Sequence, residues 1–119
     1  MHNILIVDDN YANDIKLMLS QKIIANYDLA FNGLEGVERF TKSLDGDRYS
    51  LIVMDINMPL MDGIEATEKI RKLDNNIPII VYSALNVEKF INKVLAVGAD
   101  KFIKKGDDLT SEVLLWLND

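Results

Sequence analysis

Short apolar runs and segments of helical spacing alternate along the whole chain. The runs lie at residues 4–7, 29–31, 51–54, 77–81 and 102–103. Between them, side chains suited to a buried face recur every three or four positions, which places them on one side of a helix. These positions are Ala12, Ile15, Leu19 and Ile23, then Leu34, Val37 and Phe40, then Ile64, Thr67 and Ile70, then Val87, Ile91 and Val94, and finally Leu109, Val113 and Leu117. The pattern predicts five strands alternating with five amphipathic helices.

Turn-forming residues fall in the gaps between these segments. They are Asn32-Gly33, Asp45-Gly46, Met58-Pro59, Asp62-Gly63, Ile77-Pro78 and Gly98. Five strand–helix units in 119 residues predict a parallel sheet with helices on both faces, because parallel neighbours need a helical crossover. We therefore expect an α/β fold of the flavodoxin-like, doubly wound type, formed by one domain over residues 1–119.

Acidic residues follow the first and third predicted strands. Asp8 and Asp9 come directly after the run 4–7, and Asp55 comes directly after the run 51–54. Ligands of open parallel sheets collect beyond the carboxyl ends of the strands, where the strand order reverses. If the order is 2-1-3-4-5, strands one and three are neighbours and the three carboxylates converge. A hard divalent cation such as Mg²⁺ would relieve the repulsion among them.

The fourth and fifth predicted strands also end on polar side chains. Ser83 closes the fourth, and Lys104-Lys105 follows the fifth. A strand-end residue of this kind is usually just a solvated loop residue. Carboxylates, a cation, a hydroxyl and an ammonium around one crevice are nevertheless what a phosphoryl group needs. Their joint placement indicates a phosphoryl-binding site.

Composition excludes several classes of protein. A hydrophobic content of 49% supports a folded core, and a net charge of −6 argues against a general nucleic-acid or membrane surface binder. The absence of cysteine excludes disulfides and thiolate chemistry. The single histidine, His2, is expected to be an ordinary tail residue. No apolar run approaches the roughly 20 residues of a membrane span, and no signal peptide is recognisable, so we expect a cytoplasmic protein.

The segment at residues 54–71 reads MDINMPLMDGIEATEKIR. It resembles the central motif of the receiver domains of two-component response regulators, and the resemblance extends over essentially the whole chain. It implies that Asp55 is the phosphoacceptor. It also implies that Mg²⁺ is held by Asp8, Asp9, Asp55 and the main-chain carbonyl of Asn57.

The same resemblance assigns residues near the fourth and fifth strands. Ser83 would be the switch hydroxyl that hydrogen-bonds the phosphoryl group, and Lys105 the lysine that pairs with it. Alignment on the Gly98-Ala99-Asp100 segment selects Lys105 rather than Lys104. It also makes Phe102 the switch aromatic, which we expect to favour an inward position.

One departure from the family pattern follows the lysine. Receivers usually have proline there, commonly after a cis peptide bond, whereas this chain has Gly106. Glycine frees the backbone and puts the rigidity of this loop in question.

The implied function is a phosphorylation-driven signalling switch, with no enzymatic activity beyond its own phosphotransfer and dephosphorylation. Because His2 is the only histidine, the phosphoryl group would come from another protein or a small phosphodonor. The protein donor would be a sensor histidine kinase or a histidine phosphotransfer protein. A downstream protein would bind the surface formed by helix four, strand five and helix five. No nucleic acid or membrane partner is expected.

Two other interpretations stay open. A hydrolase of the haloacid-dehalogenase type also forms an aspartyl phosphate, but it carries an acid two residues after the nucleophile, where this chain has Asn57. A receiver-like binding module that acts without phosphorylation would keep the fold and fail to bind Mg²⁺. We interpret Tyr82 and Trp116 as packing residues in every case.

Overall fold

The computed structural model describes residues 1–118, so Asp119, the last residue of the predicted domain, lies outside the described residues. Five strands and five helices alternate. The strands are β1 (His2–Val7), β2 (Ala25–Ala30), β3 (Leu51–Met54), β4 (Ile79–Ser83) and β5 (Lys101–Lys104). The helices are α1 (Ala12–Ser20), α2 (Gly33–Ser43), α3 (Gly63–Leu73), α4 (Glu88–Ala96) and α5 (Leu109–Leu117).

All neighbouring strands are parallel, and their order across the sheet is β2-β1-β3-β4-β5. This confirms the predicted flavodoxin-like, doubly wound fold with five helices. The order reverses next to β1, because the chain runs first outward to β2 and then back to β3. The carboxyl ends of β1 and β3 therefore border the position where ligands of such sheets bind.

Both faces of the sheet are buried. Alternate residues of β1 belong to different cores: Leu5 and Val7 pack with α2, α3 and α4, whereas Ile4 and Ile6 pack with α1 and α5. All four side chains are fully buried. Because successive strand residues point to opposite faces, a strand buried on both sides reads as an uninterrupted apolar run.

The strand boundaries differ from the predicted runs mainly at the sheet edges. The second strand covers Ala25–Ala30 rather than 29–31, because this edge strand alternates between partly buried and exposed positions and includes the exposed Asn26 and Asp28. The fourth starts at Ile79 rather than residue 77, since Pro78 has no N–H to donate to the ladder. The fifth extends to the exposed Lys101 and Lys104, which protect an open edge.

The interpretation of His2 as a tail residue was wrong. His2 begins β1 and pairs with Ala25 in β2. Its Nδ1 lies 3.2 Å from Ser50 Oγ, just before β3. Backbone pairing with β2 extends β1 beyond its apolar run, and the polarity of His2 and Asn3 concealed that extension in the sequence.

Candidate functional site

The carboxyl ends of β1 and β3 bring the predicted acids together. Val7 and Met54 are partners in the β1–β3 register, so Asp8 and Asp55 follow side by side. The Asp55 N–H donates to the Val7 carbonyl oxygen at 2.9 Å, which continues the ladder by one residue. Carboxylate oxygens of Asp8, Asp9 and Asp55 all lie within 4.8 Å of one another. The predicted convergence of the three acids is therefore present.

One buried carboxylate oxygen in this cluster lacks a hydrogen-bond partner among the described residues. Asp8 Oδ1 accepts the N–H groups of Asn10 and Tyr11 at 3.0 and 2.9 Å, which fixes the entry into α1. Asp9 Oδ1 is buried, yet no group within residues 1–118 donates a hydrogen bond to it. Asp8 Oδ2 is equally buried and lies 2.7 Å from the Lys105 ammonium. An unpartnered oxygen such as Asp9 Oδ1 fits Mg²⁺, which binds through carboxylate oxygens.

Lys105 supplies the positive charge of the site. Its Nζ lies 2.7 Å from Asp8 Oδ2 and 3.5 Å from Asp55 Oδ2, and it sits 4.4 Å from the centre of the Tyr11 ring. Burial disfavours the charged lysine, but contact with Asp8 and the charges of Asp55 and Asp8 outweigh it and raise the pKa of Lys105. Lys104 is exposed at the end of β5. Lys105, not Lys104, therefore reaches the crevice.

The carboxylate of Asp55 is buried, and several neighbouring groups act on its pKa. Burial raises the pKa of Asp55, and the nearby charge of Asp8 adds to the rise. A hydrogen bond with Ser83, the charge of Lys105 and the Ile56 N–H, which donates to Asp55 Oδ1 at 2.8 Å, oppose it without reversing it. The site thus holds a buried carboxylate whose charge is only partly compensated.

Of the other predicted residues, Ser83 and Asn57 line the crevice beside this carboxylate, whereas Phe102 does not. Ser83 is buried at the end of β4, and its Oγ accepts the Leu85 N–H at 3.2 Å. Ser83, Asn57 and Leu85 line a crevice of about 330 Å³ together with Asp55 and Lys105. Phe102 is half-buried in β5, packs against the core on the α4 side and does not line this crevice.

Gly63 is a site residue, although in the sequence the Asp62-Gly63 pair indicates only a turn. Its N–H donates to the Ile56 carbonyl oxygen at 2.7 Å. A Cβ at this position would lie 1.8 Å from the Asp55 carbonyl oxygen, closer than any two such atoms can approach. The start of α3 therefore rests directly on the main chain of Asp55. The Asp62-Gly63 pair was visible in the sequence, but the contact that requires glycine was not.

Leu60 is a second feature that the sequence did not reveal. It has φ of +67°, the left-handed region that non-glycine residues rarely adopt. The Met61 N–H donates to the Pro59 carbonyl oxygen at 2.7 Å, which closes a tight three-residue turn centred on Leu60. The segment between Asp55 and α3 is therefore strained. A leucine gives no sequence signal for such a turn.

Gly106 does not leave the loop after Lys105 loose. It has φ of +101°, which proline cannot adopt, and its N–H donates to the Tyr82 hydroxyl at 3.1 Å, which proline could not do. Tyr82 packs in the core as predicted, but its hydroxyl has this additional role. No cis peptide bond occurs within residues 1–118. At this position the loop is restrained by a hydrogen bond to Tyr82, where a proline ring would restrain it in other receivers.

Residues 4–113 match the protein-family model described as the response regulator receiver domain. The chain belongs to the response regulator receiver family. Receiver domains are signalling switches rather than conventional enzymes, and they take part in two-component phosphorelays.

Curated relatives of this receiver include chemotaxis proteins and part of a histidine kinase. It is 37% identical to the chemotaxis protein CheY of Treponema pallidum, covering 87% of this chain and 72% of that protein. It is 41% identical to CheY of Thermotoga maritima, covering 86% and 83%. It is 35% identical to the osmosensing histidine protein kinase of Saccharomyces cerevisiae, covering 86% of this chain but only 9% of the kinase.

Solved structures share the fold of this receiver over nearly its full length. One is the response regulator TrrA of Thermotoga maritima in complex with Mg²⁺ and beryllofluoride. It is 30% identical with a TM-score of 0.82, covering 98% of this chain and 100% of that one. Another is a CheX–CheY complex with beryllofluoride and Mg²⁺ from Borrelia burgdorferi. It is 31% identical with a TM-score of 0.78, covering 98% and 86%.

Every helix within residues 1–118 is too short or too polar to span a bilayer.

Proposed function

We propose that this receiver is a phosphorelay switch in which Asp55 accepts a phosphoryl group from the phosphohistidine of a partner protein. The observation that carries the proposal is the position of the Lys105 ammonium, 2.7 Å from Asp8 and 3.5 Å from Asp55. A buried carboxylate, a second acid and a lysine at this spacing provide a nucleophile and two ways to balance phosphoryl charge. The donor is a separate protein, either a sensor histidine kinase or a histidine phosphotransfer protein. The chain's own His2 lies at the start of β1.

The transfer is a displacement at phosphorus. A carboxylate oxygen of Asp55 forms the new P–O bond while the P–N bond of the donor phosphohistidine breaks. The electron pair of that bond stays on the imidazole nitrogen, which takes up a proton from solvent. Asp55 is 7% exposed and lines the crevice, so an incoming phosphoryl group can reach it through the crevice.

Asp8, Asp9 and Asp55, with the main-chain carbonyl of Asn57, would hold Mg²⁺. When bound, the ion neutralises charge on the transferring phosphoryl oxygens. Lys105 then holds the product through its ammonium, and Ser83 donates its hydroxyl. The buried Asp9 Oδ1, to which no described residue donates a hydrogen bond, supports this ligand set.

Phosphorylation in the crevice changes the conformation of a distant surface. A phosphoryl group adds about −1.5 to −2 charges. Drawing Ser83 and Lys105 toward it moves the ends of β4 and the loop after β5. Phe102, half-buried against the core on the α4 side, shifts with them. The output surface is formed by α4, β5 and α5.

The output surface carries exposed lysines, which suit an acidic protein partner. They are Lys89, Lys93, Lys101 and Lys104. A groove of about 420 Å³ lies in this surface, and its apolar lining includes Ile91 and Phe102. Its charged lining is mixed and consists of Lys101, Lys104, Asp107, Asp108 and Glu112. A partner segment with an apolar anchor would fit this groove if its acidic groups lie against the lysines and away from the three carboxylates.

The test is labelling by a small phosphodonor such as acetyl phosphate, with Mg²⁺ or with a chelator, followed by intact-mass measurement. We expect one acid-stable, base-labile acyl phosphate on the wild type with Mg²⁺, and none on Asp55→Asn, because an amide is not a competent nucleophile. Asp45→Asn, an exposed acid far from the crevice, is the matched control and should label normally. Equal labelling of Asp55→Asn would identify another acceptor. A wild type that never labels would favour the module that acts without phosphorylation.

A further inference from the structure

Two consecutive amides after β5 are held by two consecutive residues of β4. The Lys105 N–H donates to the Ser83 carbonyl oxygen at 3.0 Å. The Gly106 N–H donates to the Tyr82 hydroxyl at 3.1 Å. The peptide that carries the Lys105 side chain is therefore anchored on both sides, once by main chain and once by a side chain.

Packing does not hold Gly106 in place. The residue is exposed, and a Cβ built on it would meet no atom within 4 Å. No side chain imposes its φ of +101°, because glycine has none. Among the described residues, main-chain hydrogen bonds hold the amides on either side of Gly106, from Lys105 N–H to Ser83 and from Asp107 N–H to Lys104, whereas the Gly106 N–H itself is held by the Tyr82 hydroxyl.

Tyr82 is suited to act as a fixed anchor. Its side chain is 7% exposed and packs in the core formed with α1 and α5. It lines a small cavity of about 160 Å³ together with Tyr11 and Lys105, so the aromatic side chains and the lysine border the same space. A buried ring with a single hydroxyl at its tip transmits the position of β4 to the loop with little freedom of its own.

We propose that Tyr82 is a positioning residue for phosphoryl transfer to Asp55. Its hydroxyl holds Gly106 and thereby sets the direction from which the Lys105 side chain reaches Asp8 and Asp55. The proposal rests on the proposed function of Asp55. Loss of the hydroxyl frees the turn at Gly106, so Lys105 samples positions from which its ammonium misses the phosphoryl group.

The hydrogen bond itself is tested without any phosphorylation. We expect amide hydrogen exchange at Gly106 to be slowed in the wild type and to become fast in Tyr82→Phe, which keeps the ring and removes the hydroxyl. The matched control is Tyr27→Phe, since Tyr27 is half-buried against the same core and its hydroxyl donates to the Ile23 carbonyl oxygen at 2.7 Å. Exchange at Gly106 that is already unprotected in the wild type would overturn the proposal.

The consequence for transfer is tested by the labelling rate with a small phosphodonor and saturating Mg²⁺. Tyr82→Phe should label about three to ten times more slowly, the range that one hydrogen bond supplies when its free energy appears in the rate. Tyr27→Phe should label at the wild-type rate. If the wild type labels and Tyr82→Phe labels equally fast, Tyr82 has no positioning role, whereas a wild type that never labels contradicts the function of Asp55 instead.

A double-mutant cycle shows whether the hydroxyl acts through the lysine. In a Lys105→Met background, Tyr82→Phe should cause no further slowing, because the group that it positions is gone. An undiminished effect of Tyr82→Phe in that background would mean that the hydroxyl acts by another route, and would overturn the proposal. Gly106 exchange measured on the same four proteins keeps the anchor itself testable when the double variant labels too slowly to follow.

Discussion

Lys105 and Asp8 form the closest charge pair of the crevice, with Nζ 2.7 Å from Oδ2. The side chain of Asp8 is 1% exposed and that of Lys105 is 17% exposed, so water screens the pair weakly. The lysine thereby compensates an acid that is also a proposed Mg²⁺ ligand. A cation that entered the cluster would share Asp8 with Lys105, so we expect the metal affinity of the protein to depend on that competition.

Adding Mg²⁺ should stabilise the folded protein. The ion relieves repulsion among Asp8, Asp9 and Asp55, and at ten times its Kd it adds about 1.4 kcal/mol by mass action. The measurement is the melting temperature over a series of Mg²⁺ concentrations. Asp9→Asn should respond much less than the control Asp45→Asn. A wild-type melting temperature indifferent to millimolar Mg²⁺ would contradict the metal site.

Removing the positive charge of Lys105 should tighten Mg²⁺ binding. We expect Lys105→Met to lower the Kd several-fold, because even full screening by water leaves about 1 kcal/mol between two unit charges about 4 Å apart. Titration calorimetry measures the change. Lys104→Met, which removes the exposed neighbouring charge, should leave the Kd nearly unchanged. Equal effects of the two substitutions would show that Lys105 does not compete with the ion.

Asp55 should make stability without Mg²⁺ depend on pH. Burial and the charge of Asp8 raise the pKa of Asp55, so the folded state keeps its proton to higher pH than the unfolded chain does. The free energy of unfolding therefore falls as pH rises from the usual carboxylate range through the raised pKa. Asp55→Asn does not titrate at this position. Its free energy of unfolding should exceed that of the wild type most at neutral pH, and the difference should shrink on acidification.

This pH dependence is measured by urea unfolding with a chelator between about pH 3 and pH 8, a range that starts below the ordinary aspartate pKa of about 3.9. Asp45→Asn, at an exposed position, should differ from the wild type by an amount that does not change with pH in the same way. A constant gap between Asp55→Asn and the wild type would show that the environment of Asp55 does not favour its protonated form.

Gly63→Ala should strongly destabilise the protein and disturb the site. The added Cβ would collide with the Asp55 carbonyl oxygen, and forced overpacking of this kind costs about 3 kcal/mol or more. Gly46→Ala is the control, because a Cβ there meets nothing within 4 Å, and the change should stay within about 0.5 kcal/mol. Urea unfolding compares the two. Similar stabilities for both variants would mean that α3 can move away from Asp55 without penalty.

The sheet order and the acidic cluster were predictable because they depend on burial. The apolar runs that became β1, β3 and β4 are buried on both faces, and their polar ends therefore mark one edge of the sheet. The half-exposed β2 was harder to place, since its apolar residues alternate with Asn26 and Asp28. His2 was misjudged for a related reason: it joins β1 by backbone pairing, which leaves no trace in side-chain polarity.

Three details of the site were not predictable, because each is a contact between residues far apart in sequence or a backbone angle. Gly63 touches the main chain of Asp55, and Gly106 is held by Tyr82, across 24 positions of the chain. Leu60 adopts positive φ although leucine disfavours it. Residue types could mark the glycines as unusual, but only the folded chain shows what each of them contacts.

A phosphoryl group at Asp55 is expected to change the α4–β5–α5 surface through Ser83 and Lys105. The most direct measurement compares amide chemical shifts of the free protein with those of its complex with beryllofluoride and Mg²⁺, a phosphoryl mimic, in the wild type and in Lys105→Ala. We predict shifts in the crevice that extend through residues 86–117 in the wild type, and distant shifts that are lost in Lys105→Ala. Shifts confined to the crevice, or distant shifts that persist without Lys105, would contradict the claim.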